Sequence, residues 1–131
     1  MEVKYRVHFY DTDTMGVVHH SNYIRWFEIG RVEYLRAIGI DLNEMMKDGI
    51  TFPITKVSTK YKAPAHFDDE LIINTKATAM TKVKMEFEYE IMCGDKLLVT
   101  GQTQNVFTEI ATGQIIRLPE KYYELMQKTV D

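Results

Sequence analysis

Residues 21–39 read SNYIRWFEIGRVEYLRAIG, and this stretch decides the architecture. The Ser21 hydroxyl can accept from the first free amides of a helix, and a 3.6-residue period follows it, so a helix is expected over Asn22–Ile38. Tyr23, Trp26, Phe27, Gly30, Tyr34, Ala37 and Ile38 fall on one stripe; Arg25, Glu28 and Arg36 lie opposite, and Gly39 ends the run. Gly30 at mid-helix costs about 1 kcal/mol against alanine, and the reason expected for it is close approach to a sheet. Ile29 and Val32 interrupt the polar side, which points to partial cover there too. Glu28 stands one turn from Arg25 and Arg31. Surface ion pairing is its favoured reading, with substrate or interface contact as the alternative.

Outward from the helix the period changes to two. Val3–Tyr10 alternates, with Val3, Tyr5, Val7 and Phe9 on one face and Lys4, Arg6 and His8 on the other. Val83, Met85, Phe87, Tyr89 and Ile91 point inward while Lys84, Glu86, Glu88 and Glu90 point outward, the pattern of an antiparallel strand with one dry face. Cys93-Gly94-Asp95 turns that strand into the next, over Lys96–Thr108. Ile54–Tyr61 and Leu71–Met80 supply two further strands around the Pro64 loop. A short helix over Leu42–Lys47 ends by Gly49, Thr112-Gly113 makes a turn, and Pro119 opens a terminal helix through Met126. With no helical crossovers among the later strands, a doubly wound parallel sheet is excluded. The expected class is α+β: a curved, five-stranded antiparallel sheet wrapped around one long helix. One sheet covers one helix face only, so the remaining surface predicts a dimer or a larger assembly.

The 131 residues are expected to form a single domain over 1–131, with 45% apolar and 27% charged residues arguing against disorder. One cysteine leaves no intrachain disulfide, and a reducing cytoplasm is the expected location. A net charge of −3 disfavours nucleic acid and anionic lipid. Met1–Tyr10 alternates and carries charges, so no signal peptide is read there, and no run approaches the ~20 apolar residues of a membrane span.

Chemistry concentrates in Tyr10–Tyr23, YDTDTMGVVHHSNY, where two carboxylates, a glycine and two histidines precede the long helix. A plain polar loop with a capping side chain explains the polar residues but not Val17-Val18 or Tyr23. Those apolar groups would fold the loop onto the core and dry its carboxylates. A carboxylate beside a helix N-terminus is a reactive arrangement: free N–H groups receive an oxyanion while the acid attacks or activates water. Asp11 reads as the residue that turns or caps the loop; were it to share a pocket with Asp13, repulsion would raise one pKa. His19 reads as a surface or interface residue. A metal site from Asp11, Asp13, His19 and His20 is disfavoured, because adjacent histidines diverge. Cys93 has no histidine base in sight, and the 8 methionines read as core filler, with Met45-Met46 as an alternative channel lining.

The segment resembles the hotdog-fold acyl-CoA thioesterases of the 4-hydroxybenzoyl-CoA thioesterase type, including the bacterial Tol-Pal-associated enzymes. Asp11, Asp13, Gly16, Val17, Val18, His20 and Tyr23 occupy the family's Asp-x-Asp-x-x-Gly-Val-Val-x-His-x-x-Tyr frame, followed by Trp26-Phe27-Glu28 and Arg31. Tyr61-Lys62-Ala63-Pro64-Ala65, with Asp68–Leu71 after it, resembles the family's Tyr-x-x-Pro-Ala turn. The resemblance implies thioester hydrolysis with Asp13 as catalytic nucleophile or general base, and the His20 N–H polarising the thioester carbonyl. The His20 side chain matches a histidine implicated in some members. Phe9 stands where some Tol-Pal-type members have tyrosine, so that hydrogen bond to the aspartate is absent.

The resemblance further implies that Gly16, Val17, Asn22, Tyr23 and Pro64 surround an acyl-CoA substrate, that no separate cofactor is needed, and that homodimers or homotetramers form. Coenzyme A phosphates need local positive charge, for which Lys60 and Lys62 are candidates with Lys56, Lys82 and Lys84, although a solvated strand face also explains them. The run His19–Tyr23 with Ile24 and Trp26 also resembles acyl-acyl-carrier-protein thioesterases, which gives Asn22 interest. A non-hydrolysing acyl-binding module and a dehydratase or hydratase are the other readings.

Overall fold

The computed structural model describes residues 1–130. Along the chain come β1 (Glu2–Arg6), a 3₁₀ turn (Phe9–Asp11), α1 (His20–Ala37), α2 (Leu42–Lys47), β2 (Ile50–Thr51) and β3 (Ile54–Tyr61). β4 (Glu70–Met80), β5 (Lys84–Cys93), β6 (Lys96–Val106), β7 (Thr108–Glu109) and α3 (Glu120–Gln127) complete the order. Five strands pair antiparallel in the order β1-β4-β5-β6-β3, while β2 and β7 form a separate two-stranded ladder. This is the α+β hotdog arrangement, a sheet enclosing a central helix.

The alternation of β5 produces the core directly. Met85, Phe87, Tyr89 and Ile91 are buried against α1, and Gly94 at φ +60° makes the two-residue turn into β6. Phe27 lies over the sheet with its ring stacked on Tyr89 at 4.5 Å. Gly30 has the close approach expected of it: a Cβ there would run into Thr75 Oγ1 and lie 3.0 Å from Ile73 Cγ2. No helix among the described residues is long and apolar enough to cross a membrane.

Several local expectations are corrected. β1 stops at Arg6, because the Asp11 carboxylate accepts the His8 N–H at 2.9 Å and the Asp11 N–H returns to His8 O at 3.0 Å, closing a turn. Phe9 therefore rides on that turn, 76% exposed, instead of continuing the inner face. The cap of α1 is His19, whose Nδ1 accepts from the Ser21 N–H, so the helix starts two residues earlier than Ser21 capping predicts. The buried stripe includes Asn22, Arg31 and Leu35, whereas Ala37 is exposed. Val83 precedes β5 and is exposed. Glu28 makes no ion pair among the described residues, and Arg31 is buried, so surface pairing is not their arrangement.

The terminal helix is held to α2 by charge. The Tyr122 hydroxyl donates to Asp48 at 2.6 Å, and Lys121 Nζ lies 3.0 Å from Asp48 and 3.3 Å from Glu44. The Tyr122 bond, then Lys121, holds the Asp48 carboxyl below its ordinary range. A carboxyl held low in the fold contributes stability above its unfolded pKa, and that contribution disappears as pH falls through the folded value. Asp48→Asn is accordingly expected to show a smaller loss of Tm than wild type between about pH 6 and about pH 3, followed by thermal circular dichroism.

Candidate active site

The motif loop is a small hairpin. Thr12 bridges to Val18, the Asp13 N–H donates to Val17 O at 2.9 Å, and the Gly16 N–H donates to Asp13 O at 3.1 Å. Gly16 has φ +77°, a conformation that strains any residue with a Cβ, so its side-chain-free backbone is what the turn requires. The hairpin docks on the Pro64 loop: Val17 bridges to His66, and the Val18 N–H donates to Ala65 O at 2.9 Å. The two motif segments, distant in sequence, thus form one edge of the fold. Pro64 itself is exposed.

The two aspartates part company. Asp11 is buried and accepts from the Tyr5 hydroxyl at 2.8 Å and from the His8 N–H. Burial, reinforced by Asp11, pushes the Tyr5 phenol well above its ordinary pKa, so the proton stays on Tyr5 and Asp11 remains the acceptor. The Asp11 carbonyl also accepts the His19 N–H at 3.2 Å and Asn22 Nδ2 at 2.8 Å. Asp11 is therefore the organiser of the loop, as its turn-forming reading expects. Asp13 is exposed; one carboxylate oxygen accepts the Met15 N–H at 2.8 Å, and the other has no partner among the described residues. The expected drying of the carboxylates holds for Asp11 and not for Asp13 in the single chain.

His20 opens α1. Its N–H has no acceptor among the described residues, because the first helical amides have no preceding turn to bond. Its ring stacks on Tyr61 at 4.3 Å and 14°, with the Tyr61 hydroxyl 3.5 Å from His20 O. Tyr61 belongs to the second motif but carried no assigned role; only the pairing of loop and strand brings it to the helix start. Exposed Phe9 and Phe67, edge-to-face at 5.6 Å, form an apolar rim, and Met15 is exposed in the turn of the hairpin. Sequence alternation placed Phe9 inside, which concealed this rim.

Two expected substrate contacts are scaffold instead. Tyr23 is buried, and its hydroxyl accepts the Ala65 N–H at 2.9 Å; burial raises its pKa. Asn22 is buried with its amide on Asp11 O. Asn22→Ala is expected to lower stability by about 1 kcal/mol in urea unfolding, since it removes one of the two hydrogen bonds that the Asp11 carbonyl accepts.

The lysines divide as well. Lys60 lies on the outer face of the sheet, lining a groove of about 520 Å³ with Ser58, Glu88, Thr100 and Gln102, on the side away from α1. Lys62 is exposed just past β3, beside Tyr61, with its N–H on Leu98 O at 2.8 Å. Among the described residues no three His, Cys, Asp or Glu converge as a metal cluster, and His19 Nδ1 is engaged at the helix cap. Burial pushes the Cys93 thiol up, opposite to a nucleophile's requirement.

Comparison with known proteins identifies the family of the chain. Residues 7–126 match the family model described as the Thioesterase-like superfamily. The acyl-CoA thioester hydrolase YbgC of Escherichia coli O6:H1 is 34% identical over 94 residues, 72% of this chain and 70% of that protein. A 1,4-dihydroxy-2-naphthoyl-CoA hydrolase of Synechococcus elongatus is 28% identical over 127 residues, 95% of this chain and 93% of that protein. The crystal structure of a DHNA-CoA thioesterase from Staphylococcus aureus superposes with a TM-score of 0.93 at 27% identity, covering 97% of this chain and 88% of that one.

Proposed function

The chain belongs to the Thioesterase-like superfamily, and we propose that it hydrolyses acyl-CoA thioesters with Asp13 as nucleophile or general base. One observation carries the reading: a single hairpin holds both a carboxylate with a free oxygen, Asp13, and the start of α1, where the His20 N–H lacks an acceptor. In the general-base form, Asp13 takes a proton from water as its oxygen bonds to the thioester carbon. The His20 N–H receives the resulting oxyanion, the C–S bond breaks, and the departing thiolate regains the proton from Asp13. In the nucleophilic form, the Asp13 carboxylate bonds to the carbonyl carbon as the C–S bond breaks and the thiolate leaves; water then opens the acyl-aspartyl anhydride, which frees the acid and the Asp13 carboxylate while a proton of that water goes to the thiolate.

The acyl group fits the apolar rim of Phe9 and Phe67, beside Val17. Coenzyme A is part of the substrate and no separate cofactor is required. Lys62, at the His20 end of β3, is better placed than Lys60 to meet its phosphates. The exposed inner face of β3 calls for a second copy, as a homodimer or within a homotetramer, and the location proposed is the cytoplasm. The motif resembles that of the Tol-Pal-type subgroup, some members of which have tyrosine where Phe9 stands, so the test covers both aromatic and aliphatic acids. The alternative of a carrier-protein substrate, which gives Asn22 interest, finds its amide already donating to the Asp11 carbonyl.

A panel of aliphatic and aromatic acyl-CoA esters, assayed by thiol release, tests the proposal. Turnover with at least one ester supports it. A ligand-induced rise in Tm with turnover at background would make the protein an acyl-binding module instead.

A further inference from the structure

Arg31 is a cation inside the protein without a carboxylate. It is 5% exposed, and its one hydrogen bond runs from Nη1 to the Tyr89 hydroxyl at 3.2 Å, which in turn lies 2.7 Å from Thr103 Oγ1. Among the described residues no acid pairs with it. A guanidinium carries five donors and a fixed charge, and its removal from water without a counter-ion is unfavourable. A carboxylate from a second molecule would supply the negative charge that the described residues do not.

The fold shows where it would come from. Trp26 packs on Tyr5 of β1 and Gly30 on Thr75 of β4, while Phe27 lies over Gly101 of β6, so the opposite flank of α1 turns toward β6 and β3. Ile24, Glu28, Arg31 and Leu35, spaced i, i+4, i+7 and i+11, occupy that flank. Thr103 is in register with Val57, which puts the Arg31–Tyr89–Thr103 chain level with the middle of β3. β3 is the last strand of the sheet, and Val57 and Tyr61 on its helix-side face are 45% and 41% exposed. Glu28 is exposed on the same flank and makes no ion pair, although Arg31 is one turn away.

We infer that Glu28 of a second copy of this chain neutralises Arg31 across a two-fold axis beside the centre of β3, with Glu28 here returning the contact. An isologous interface exchanges the same pair twice. Residues 28 and 31 lie near the middle of the 18-residue α1, so two antiparallel copies of the helix flank bring each acid opposite the other's base. The same docking covers Val57 and the free edge of β3. Without the acids, the two-fold would bring two buried cations together. This inference rests on the second copy proposed above and names the contact that specifies it.

Sedimentation of the full chain across a concentration series tests it with Glu28→Gln, Arg31→Met and the double variant. Glu28 is exposed, so Glu28→Gln is expected to fold normally, verified by circular dichroism. The expected result is a dimer dissociation constant raised at least about 30-fold in each single variant, and no further in the double variant. A wild type that remains monomeric overturns both this inference and the proposed homo-oligomer. A dimer equally tight with Glu28→Gln overturns only this inference, and stabilisation of that dimer by added phosphate would assign Arg31 to a small anion.

Discussion

Asp13→Asn will lower kcat for acyl-CoA hydrolysis by at least about 10²-fold while leaving Tm nearly unchanged. Both halves follow from the site. The side chain is exposed and its structural duty is one bond, accepted from the Met15 N–H, which an asparagine amide oxygen also accepts. Substitutions at such surface positions stay within about 0.5 kcal/mol. What disappears is the carboxylate that attacks or takes the proton of water, and the loop's other carboxylate does not replace it, because Asp11 is engaged with Tyr5 and the His8 N–H. Thiol-release kinetics on the best ester of the panel would measure it. Equal rates in a folded variant would remove Asp13 from the reaction.

Gly101→Ala will destabilise the protein by about 3 kcal/mol, at the upper end for overpacking, and lower Tm by roughly 10 °C. A Cβ at this position would overlap Phe27 Cζ and Cε2 and come within 3.1 Å of Cε1. A flexible neighbour could retreat, but Phe27 is fully buried and stacked on Tyr89. Relief requires lifting α1 from β6, which also displaces the His20 N–H at the helix start, so activity should fall with stability. Differential scanning calorimetry and the thiol assay on one preparation would check both; an unchanged Tm would mean that α1 yields freely.

These expectations rest on features of unequal legibility. β3 and α2 have the bounds that alternation and helical period assign to them, and Gly30 marks a close approach from its residue type alone. Asp13 and His20 were singled out by the resemblance of the motif frame, and the structure sets them at the hairpin and at the start of α1. Tyr61 and the rim of Phe9 and Phe67 were not singled out. Their places depend on the docking of the hairpin on the Pro64 loop and on the turn closed by Asp11.

Periodicity, turn residues and the order of elements are local or sequential properties, so the chain alone determined an antiparallel sheet around one helix and the position of the loop that carries Asp11, Asp13, His19 and His20. Burial of polar groups is a property of which elements meet. Only the tertiary structure decided that Asn22 and Tyr23 brace the loop, that Lys60 faces away from it, and that Arg31 enters the core without an acid. A helical wheel ranks Asn22 and Arg31 as interchangeable polar positions; the desolvation and hydrogen bonding that separate them arise between segments far apart in the chain.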